Sequence, residues 1–367
     1  MSDTLRIVAF DIGTNKIVGA VSEKTSDERL SIIAIEEEKT LNGSMYRGRI
    51  NNVNDVLFHI MSIIKKLQNK TNSKFHTIYL SLSNEKGYDT EEWKKLEKEM
   101  VSRKIKVHKL DRLDCMADTL MSSAEKEIGC LLIDFGAGCT SFILRSNNTP
   151  DKRGIISLGG NNITKDLTYL NLKPEDAEKL KIKLGSTKPE KLLRPNARII
   201  LEKSTNVNEA KYITPLKLSE MILDRVKDIC LRFLDPMKKH EEFSKPGRSI
   251  ILVGGGSYLN DLPEWISDQT GLSVKIEDKF SFADSPIDID INNAKYACLI
   301  SLLNNGTEDC RTIDENLKPE KKTNKLVKIK GVIVISNLRT LSDLTKNASY
   351  IRTTTVPIIP KSINNIK

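Results

Sequence analysis

Two segments of this sequence combine an aspartate, a glycine and a hydroxyl in the same order. The first runs from Asp11 through Gly13 and Thr14 to Lys16, and the second begins at Asp134, more than 100 residues later. Phosphate oxygens are bound at close range by backbone N–H groups, which glycine permits, and by hydroxyl and ammonium groups. Magnesium keeps most of its waters and contacts one or two carboxylates. These residue types suit the binding of a magnesium polyphosphate.

A third segment, Gly254 to Gly256, follows the apolar run "SIILV" and carries no charge. Bare backbone of this kind suits a flat base or a ribose. A Gly-x-x-x-x-Gly-Lys-Ser/Thr sequence is absent, which excludes a P-loop enzyme. Each segment taken singly is a common turn, so the prediction depends on their order and spacing.

The elements that must position these segments are strands. "RIVAFDI" and "KIVGAVSEK" flank the first loop, and "CLLIDF" and "TSFILR" flank the second. "LSIIAIEEEKT" predicts a third strand, and 54–70 predicts a helix with Val56, Ile60, Ile63, Ile64 and Leu67 on one face. The β-β-β-α-β order predicts a mixed sheet covered by helices. Two matched strand-loop-strand units indicate two similar domains that face each other.

Further periodic segments complete this α/β pattern. We predict helices over 91–105, 114–128, 173–185, 216–234 and 293–303, and strands over 76–83, 106–110 and 248–253. No element is predicted in the polar stretch 186–212. The folded part is expected to end near Asn305.

The net charge of +9 is unevenly distributed. Residues 318–367 hold 11 Lys and Arg against two acids, whereas residues 1–317 hold 47 of each sign. A basic arm on a neutral body favours an anionic surface as partner, either membrane or nucleic acid. The alternative is a merely solvated tail. No basic patch is interleaved with aromatic residues, so we expect no nucleic-acid partner.

The composition indicates the cellular compartment in which the protein is found. The six cysteines form no Cys-x-x-Cys pair and most lie among apolar residues, so we expect reduced, buried thiols and neither disulfides nor a zinc site. No apolar run is long enough to span a membrane, and the N-terminus lacks the features of a signal peptide. We expect a cytoplasmic protein.

The order of the three loops resembles the actin-like ATPase superfamily. "DIGTNK" is similar to its first phosphate motif, "IDFGAGCTSF" to its second and "ILVGGGSYL" to its adenosine motif. Further segments narrow the resemblance to the FtsA family of bacterial cell-division proteins: "LNGSMYRGRINNVNDV", "ISLGGNNITKDL" and "EDAEKLKIKLG" follow in the family's order. Together these segments cover most of residues 5–305.

The resemblance implies an actin-like ATPase fold, with two duplicated ribonuclease-H-like domains around a nucleotide cleft that holds ATP and Mg2+. The implied nucleotide-binding residues are Asp11, Gly13, Thr14, Asn15 and Lys16 in the first loop, Asp134, Gly136, Gly138 and Thr140 in the second, Gly159 and Gly160 after it, Glu178 and Lys181 on a helix, and Gly254, Gly255, Gly256 and Ser257 in the third. Asp11 and Asp134 are implied to hold the metal through water. Taken alone, Glu178 and Lys181 could equally form a surface ion pair.

The function that the resemblance implies is to link the FtsZ ring to the inner face of the cell membrane at the division site and to self-assemble. FtsZ is implied to dock around 186–222. Ala137 stands where the family has a glycine, and no general base is evident, so at most weak ATPase activity is expected. A small-molecule kinase of the same superfamily and a degenerate pseudo-ATPase scaffold remain as alternatives.

The sequence departs from the family at two further places. The small subdomain called 1C is reduced to about 84–92, which puts the usual filament contacts in doubt. Domain 1 is otherwise expected over 1–146, domain 2 over 147–305, and a linker and basic tail over 306–367. The family's C-terminal amphipathic helix has its nearest candidate at 325–344, where Gly331 interrupts the pattern and the "VIVI" run suits a strand equally well. The residues expected to meet the membrane are Lys325, Lys328, Lys330, Val334, Leu338 and Leu341.

Overall fold

The computed structural model describes residues 4–82, 89–147, 149–202, 211–239, 243, 247–286 and 290–312, together with the backbone of 326–329 and 332–335. The chain divides into two compact units, Met1–Pro319 and Glu320–Lys367. No helix among the described residues is long and apolar enough to cross a membrane.

The first unit is a mixed α/β body. Its strands are β1 Leu5–Ile12, β2 Lys16–Lys24, β3 Leu30–Lys39, β4 Met45–Tyr46, β5 Arg49–Ile50, β6 Thr77–Leu82, β7 Lys106–Lys109, β8 Cys130–Phe135, β9 Thr140–Ser146, β10 Thr149–Ile156, β11 Ile199–Glu202, β12 Lys211–Ile213, β13 Ser249–Val253, β14 Ser273–Ile276 and β15 Ala283–Asp284. Its α-helices are α1 Val53–Thr71, α2 Glu91–Ser102, α3 Arg112–Leu120, α4 Ser123–Ile128, α5 Gly160–Leu167, α6 Pro174–Leu184, α7 Pro215–Lys238, α8 Leu262–Thr270 and α9 Ala297–Asn305.

Two sheets repeat one design. The six-stranded sheet has the order β15-β3-β2-β1-β6-β7, and the five-stranded sheet has the order β10-β9-β8-β13-β14. In each, an antiparallel hairpin carries a loop at its tip and a parallel strand lies on its far side: β1/β2 beside β6, and β8/β9 beside β13. The duplication that the sequence predicts is therefore present in the sheets.

A hydrophobic core shared by the two sheets fixes their positions relative to each other. One buried cluster includes Ile7 and Ala9 of β1, Leu132 of β8, and Leu299 and Leu302 of α9, none more than 1% exposed. The carboxyl ends of β1 and β8 thus come to one side of the same core. This is the edge at which open α/β sheets bind ligands.

Helix α1 follows the predicted pattern. Its five predicted core residues are all buried against the outer face of the first sheet. The helix begins where the side chain of Asn52 accepts hydrogen bonds from the N–H groups of Asn54 and Asp55, and it ends at Asn72 in the left-handed conformation. Polar caps at both ends satisfy backbone groups that the helix itself leaves unpaired.

The helix predicted over 114–128 is two helices. The Oγ of Ser122 accepts a hydrogen bond from the N–H of Glu125, and the Glu125 carboxylate accepts from the N–H of Ser122. This reciprocal capping starts α4 immediately after α3 ends. The sequence pattern also missed α8, β14 and the hairpin of β11 and β12, which lies in and next to the polar stretch 186–212.

The body continues beyond Asn305. The N–H of Cys310 donates to the carbonyl of Arg6 at 2.7 Å, and the N–H of His76 donates to the carbonyl of Cys310 at 2.7 Å. The Cys310 side chain is fully buried. This segment is therefore held between β1 and the start of β6. All six cysteines are buried, and none of them forms a disulfide.

The second unit corrects one expectation. Its described residues form two antiparallel strands, β16 Leu326–Ile329 and β17 Val332–Ile335, and not the helix predicted over 325–344. The strand is the alternative that the β-branched run leaves open. Lys328 and Val334 lie on these strands, whereas Lys325, Lys330, Leu338 and Leu341 lie outside the described residues, as does most of 84–92.

A carboxylate on β3 fastens α1 to the first sheet. Glu38 lies 2.7 Å from His59 Nδ1 and 2.7 Å from Lys66 Nζ, and it accepts a hydrogen bond from Ser62. Burial raises the pKa of Glu38, but these donors outweigh burial and lower it to about 2.

We expect Glu38→Gln to lower the free energy of unfolding by about 2 kcal/mol at pH 7. A carboxyl whose pKa is depressed by folding stabilises the protein above its ordinary pKa and loses that effect as the pH falls. The difference from wild type should therefore shrink between pH 4.5 and 3. Urea unfolding at several pH values measures it.

Glu36→Gln on the same strand is the matched control. Glu36 has a single ion pair with α1, to the half-exposed Lys70 at 2.6 Å. Such a pair contributes less than about 1 kcal/mol. Equal losses in the two variants would contradict the role given to Glu38.

Candidate functional site

The three loops meet around one cleft of about 620 Å3 at the carboxyl ends of β1 and β8. Fourteen of the predicted site residues line it: Asp11, Gly13, Thr14, Asn15, Lys16, Asp134, Gly136, Gly138, Gly160, Glu178, Lys181, Gly254, Gly255 and Gly256. Segments more than 200 residues apart in the chain are thus brought to one site.

The other three predicted residues lie behind the lining. The Thr140 hydroxyl is buried and donates to the carbonyl of Leu158 at 3.0 Å. The Ser257 hydroxyl is also buried and donates to the carbonyl of Gly254 at 2.7 Å. A Cβ at Gly159 would overlap the carbonyls of the second loop. These residues support the shape of the loops from behind.

The first loop contacts both the start of α5 and the second loop across the cleft. The side-chain amides of Asn15 and Asn161 exchange two hydrogen bonds, of 3.0 and 2.7 Å. A Cβ at Gly138 would overlap the side chain of Thr14. Glycine is therefore required at this position for the loops to come so close.

Three lysines line the cleft, and two of them, Lys16 and Lys181, have a carboxylate within 3 Å. Lys16 Nζ lies 2.7 Å from Glu37 and 5.1 Å from the centre of the Tyr296 ring. Lys181 Nζ lies 2.7 Å from Glu178 and donates to the carbonyl of Gly160 at 3.1 Å. Burial lowers the pKa of Lys181, and Glu178 partly opposes that effect.

The pairing of Glu178 with Lys181 agrees with both interpretations of their spacing. The two side chains form an ion pair, as expected of a surface pair. However, both line the cleft, as expected of ligand-binding residues, and the Lys181 side chain is largely buried. Thr164 of α5 bonds both side chains. Helix α6 is thereby attached to the start of α5, next to the second loop.

The third loop packs its glycines against the second. Gly254 has φ of 85°, and a Cβ there would overlap Asp134 Oδ1 and the backbone of Phe135. A Cβ at Gly256 would overlap the Phe135 ring. By contrast, a Cβ at Gly255 meets no atom within 4 Å. Gly255 therefore presents bare backbone to open space in the cleft.

A residue that the motifs do not include lies at the centre of the site. Arg112, the first residue of α3, is buried between the two aspartates. Its Nη2 lies 2.7 Å from Asp134 Oδ2, and its Nη1 lies 3.4 Å from Asp11 Oδ1. The sequence contains one signal for this role. Arg112 is a charged residue four positions before Met116, on the face of α3 that the apolar pattern predicts to be buried.

Arg112 and Asp134 affect each other's ionisation. Burial raises the pKa of Asp134, and the neighbouring Arg112 opposes that rise. Burial also disfavours the charged form of Arg112, but the attraction of Asp134 and Asp11 raises the pKa of Arg112 overall. The guanidinium therefore stays charged and neutralises one of the two carboxylates.

The implied metal does not fit these residues as they stand. The described part of the chain contains no group of three or more His, Cys, Asp or Glu that could hold a metal ion. The two carboxylates that were expected to hold its waters accept hydrogen bonds from Arg112 instead. The cleft has the shape and polarity for an anionic ligand, but its carboxylates already have a cation.

Comparison with known proteins gives a family match. The model of the family "Cell division protein FtsA" matches residues 131–301. FtsA of Streptococcus pneumoniae serotype 2 is 29% identical over 188 residues, which cover 51% of this chain and 39% of that protein. FtsA of Buchnera aphidicola subsp. Acyrthosiphon pisum is 21% identical over 404 aligned residues, which cover 86% of this chain and 94% of that protein.

Solved structures support the fold. MreB 5 of Spiroplasma citri bound to AMPPNP has a TM-score of 0.55 at 16% identity, covering 81% of this chain and 94% of that one.

The sequence matches to the first three FtsA relatives are partial and span only 30 to 39% of the lengths of those proteins. The resemblance to FtsA and the actin-like fold are both confirmed.

Removal of the Arg112 charge should destabilise the body. We expect Arg112→Met to lower the free energy of unfolding by about 3 kcal/mol at pH 7.5, because buried carboxylates lose their counter-charge. Burial raises the pKa of Asp134, so the folded variant binds a proton more readily than the unfolded chain. The loss should therefore shrink as the pH falls to 5.5. Urea unfolding at both pH values checks this.

The double variant Arg112→Met/Asp134→Asn is the control. It removes one charge of each sign, so most of the lost stability should return at pH 7.5. A double variant less stable than Arg112→Met would show that the loss comes from packing and not from charge.

Proposed function

We propose that the chain is a member of the FtsA cell-division protein family, that it binds ATP in this cleft and that it links the FtsZ ring to the membrane. The observation that carries the nucleotide proposal is the meeting of three glycine loops, far apart in sequence, around one cavity of about 620 Å3. A similar fold, that of MreB 5, has been solved with AMPPNP bound.

The proposed pose follows from the chemistry of the lining. Thr14 and Lys16 face the phosphates with the backbone of the first two loops. The Glu178–Lys181 pair suits the ribose and base, because it offers both an acceptor and donors. Gly255 gives a flat ring access to bare backbone, in keeping with the open space beside its Cα.

The residues that line the cleft give little support for ATP hydrolysis. Each carboxylate that lines the cleft already has a basic partner: Asp11 and Asp134 have Arg112, Glu37 has Lys16, and Glu178 has Lys181. A general base must be able to reach and accept a proton. We propose a binding protein with at most weak ATPase activity, which also argues against the small-molecule kinase.

A site for FtsZ is proposed on the segment 186–222. Three large apolar side chains are exposed there: Leu193 at 99%, Ile200 at 48% and Tyr212 at 48%. Exposed apolar groups close together are typical of protein interfaces. FtsZ is the partner that the family relationship suggests.

Self-assembly and membrane binding complete the proposal. The nucleotide cleft lies between two duplicated sheets, so a bound nucleotide can hold their loops together and favour assembly. The excess charge of the last 50 residues suits an anionic bilayer, to which each Lys or Arg near the surface contributes about 1 kcal/mol. The proposed location is the cytoplasmic face of the membrane at the division site.

Gly255→Leu tests the cleft. The open space beside Gly255 should admit the side chain without loss of stability, and the side chain then occupies the ligand's volume. We expect ATP affinity to fall at least about tenfold, which is 1.4 kcal/mol. Isothermal titration calorimetry measures the affinity and thermal unfolding checks the fold.

Gly255→Ala, with a side chain of one carbon, is the matched control and should lose less affinity. If Gly255→Leu binds ATP as wild type does, the nucleotide lies elsewhere. Absence of ATP binding by the wild-type chain supports the pseudo-ATPase scaffold, and ATPase activity that rises with an added sugar supports the kinase.

Deletion of 318–367 tests the membrane proposal. The truncated body should stay folded, because its described core ends before this segment, and should still bind ATP. It should no longer sediment with vesicles of anionic phospholipid. Attraction to the bilayer decays over about 8 to 10 Å at physiological salt, so high salt should reduce binding of the full chain.

Lys325→Glu, Lys328→Glu and Lys330→Glu combined should act nearly as the deletion does, because they reverse charge without shortening the chain. Sedimentation of the truncated body equal to that of the full chain would place the membrane contact in the body. Failure of both to sediment would leave only a partner to bring this protein to the membrane.

A further inference from the structure

Arg112 joins the two carboxylates that a metal would need. Its guanidinium lies 2.7 Å from Asp134 and 3.4 Å from Asp11, and all three residues line the cleft. The side chains of Arg112 and Asp134 are less than 10% exposed. The contact is therefore a built part of the site and not a loose surface pair.

The same oxygens cannot easily serve both cations. A magnesium ion in a nucleotide site keeps several of its waters, and these waters must donate hydrogen bonds to the carboxylates. Here those carboxylates accept from a guanidinium, which stays protonated in proteins and is tethered to α3. A hydrated ion that displaced Arg112 would leave a buried charge without a partner, which is unfavourable.

The other two acids of the lining, Glu37 and Glu178, are paired with Lys16 and Lys181. The charged side chains of the lining are four acids and four bases: Asp11, Glu37, Asp134 and Glu178 against Lys16, Arg112, Lys181 and Lys295. Without Arg112 the acids would be in excess. The arginine thus brings the formal charge of the cleft to zero before any ligand arrives.

We propose that Arg112 takes the place of the divalent cation, so that this cleft binds its nucleotide without metal. The proposal rests on the proposed nucleotide site. The guanidinium contacts both carboxylates, so it would lie between these acids and the phosphates of a nucleotide bound to the first two loops. No bond to phosphorus is made or broken in this role, so the nucleotide acts as a bound ligand.

The first experiment compares ATP affinity with Mg2+ and with EDTA in the wild-type protein. We expect the dissociation constants to differ by less than about threefold, which is under 1 kcal/mol. A loss of tenfold or more in EDTA would overturn the proposal. This arm needs no variant and so does not depend on whether a variant folds.

The second experiment uses Arg112→Gln and measures binding of Mn2+ alone by electron paramagnetic resonance. The wild-type protein should not bind Mn2+ in the cleft. The variant frees both carboxylates, so it should bind Mn2+, and its ATP affinity should become dependent on Mg2+. Binding of Mn2+ by the wild type that disappears in Asp134→Asn would overturn the proposal.

Arg225→Gln is the matched control. Arg225 also joins two carboxylates, Asp166 and Asp228, at 2.6 Å each, but it does not line the cleft. This variant should not change the metal dependence. If wild type binds no ATP in either buffer, the proposed nucleotide site fails, and the Mn2+ measurements still decide whether Arg112 excludes the metal.

Discussion

The charge balance at the carboxyl ends of β1 and β8 constrains the whole cleft. A duplicated fold brings two aspartates to one edge of a shared core, and like charges at short range in a buried site cannot both remain ionised without a counter-charge. Helix α3 supplies that charge from its first residue, Arg112. The position of α3 and the approach of the two sheets are therefore linked by the ion pairs of Arg112 with Asp11 and Asp134.

Close approach of backbone is the second constraint. Gly138 lies against Thr14 of the other hairpin, and Gly254 lies against Asp134 of its neighbour strand. Added Cβ atoms at either position would push apart elements that belong to different parts of the chain. The glycines thus make room for the ligand and also allow the empty cleft to form.

Much of this arrangement could be predicted from the sequence. The apolar runs of β1 and β2 and the periodicity of α1 gave correct elements, because the two strands are buried on both faces and α1 buries one face against the first sheet. The break before α4 was missed because the capping by Ser122 and Glu125 is a local signal hidden inside a continuous helical pattern. In the tail, the described residues adopt the strand alternative that the β-branched run left open, because β-branched residues favour strands.

Arg112 could not be predicted because its role depends on two residues that lie 101 positions before it and 22 after it. Periodicity places it on the buried face of α3 but does not say which charges it meets there. The same limit applies to Glu37, which partners Lys16 only because β2 and β3 pair as they do. The motifs identify the loops, whereas the ion pairs between loops follow from the three-dimensional fold.

The paired amides of Asn15 and Asn161 have a consequence for how the cleft responds to solution conditions. They join the first loop to α5 through two neutral hydrogen bonds at an exposed position, and water can replace each of them at a net cost of about 1 kcal/mol. Since neither amide titrates, this contact is insensitive to pH, and it is little affected by ionic strength. Changes of pH and salt therefore act on the charged residues that line the cleft and not on this contact.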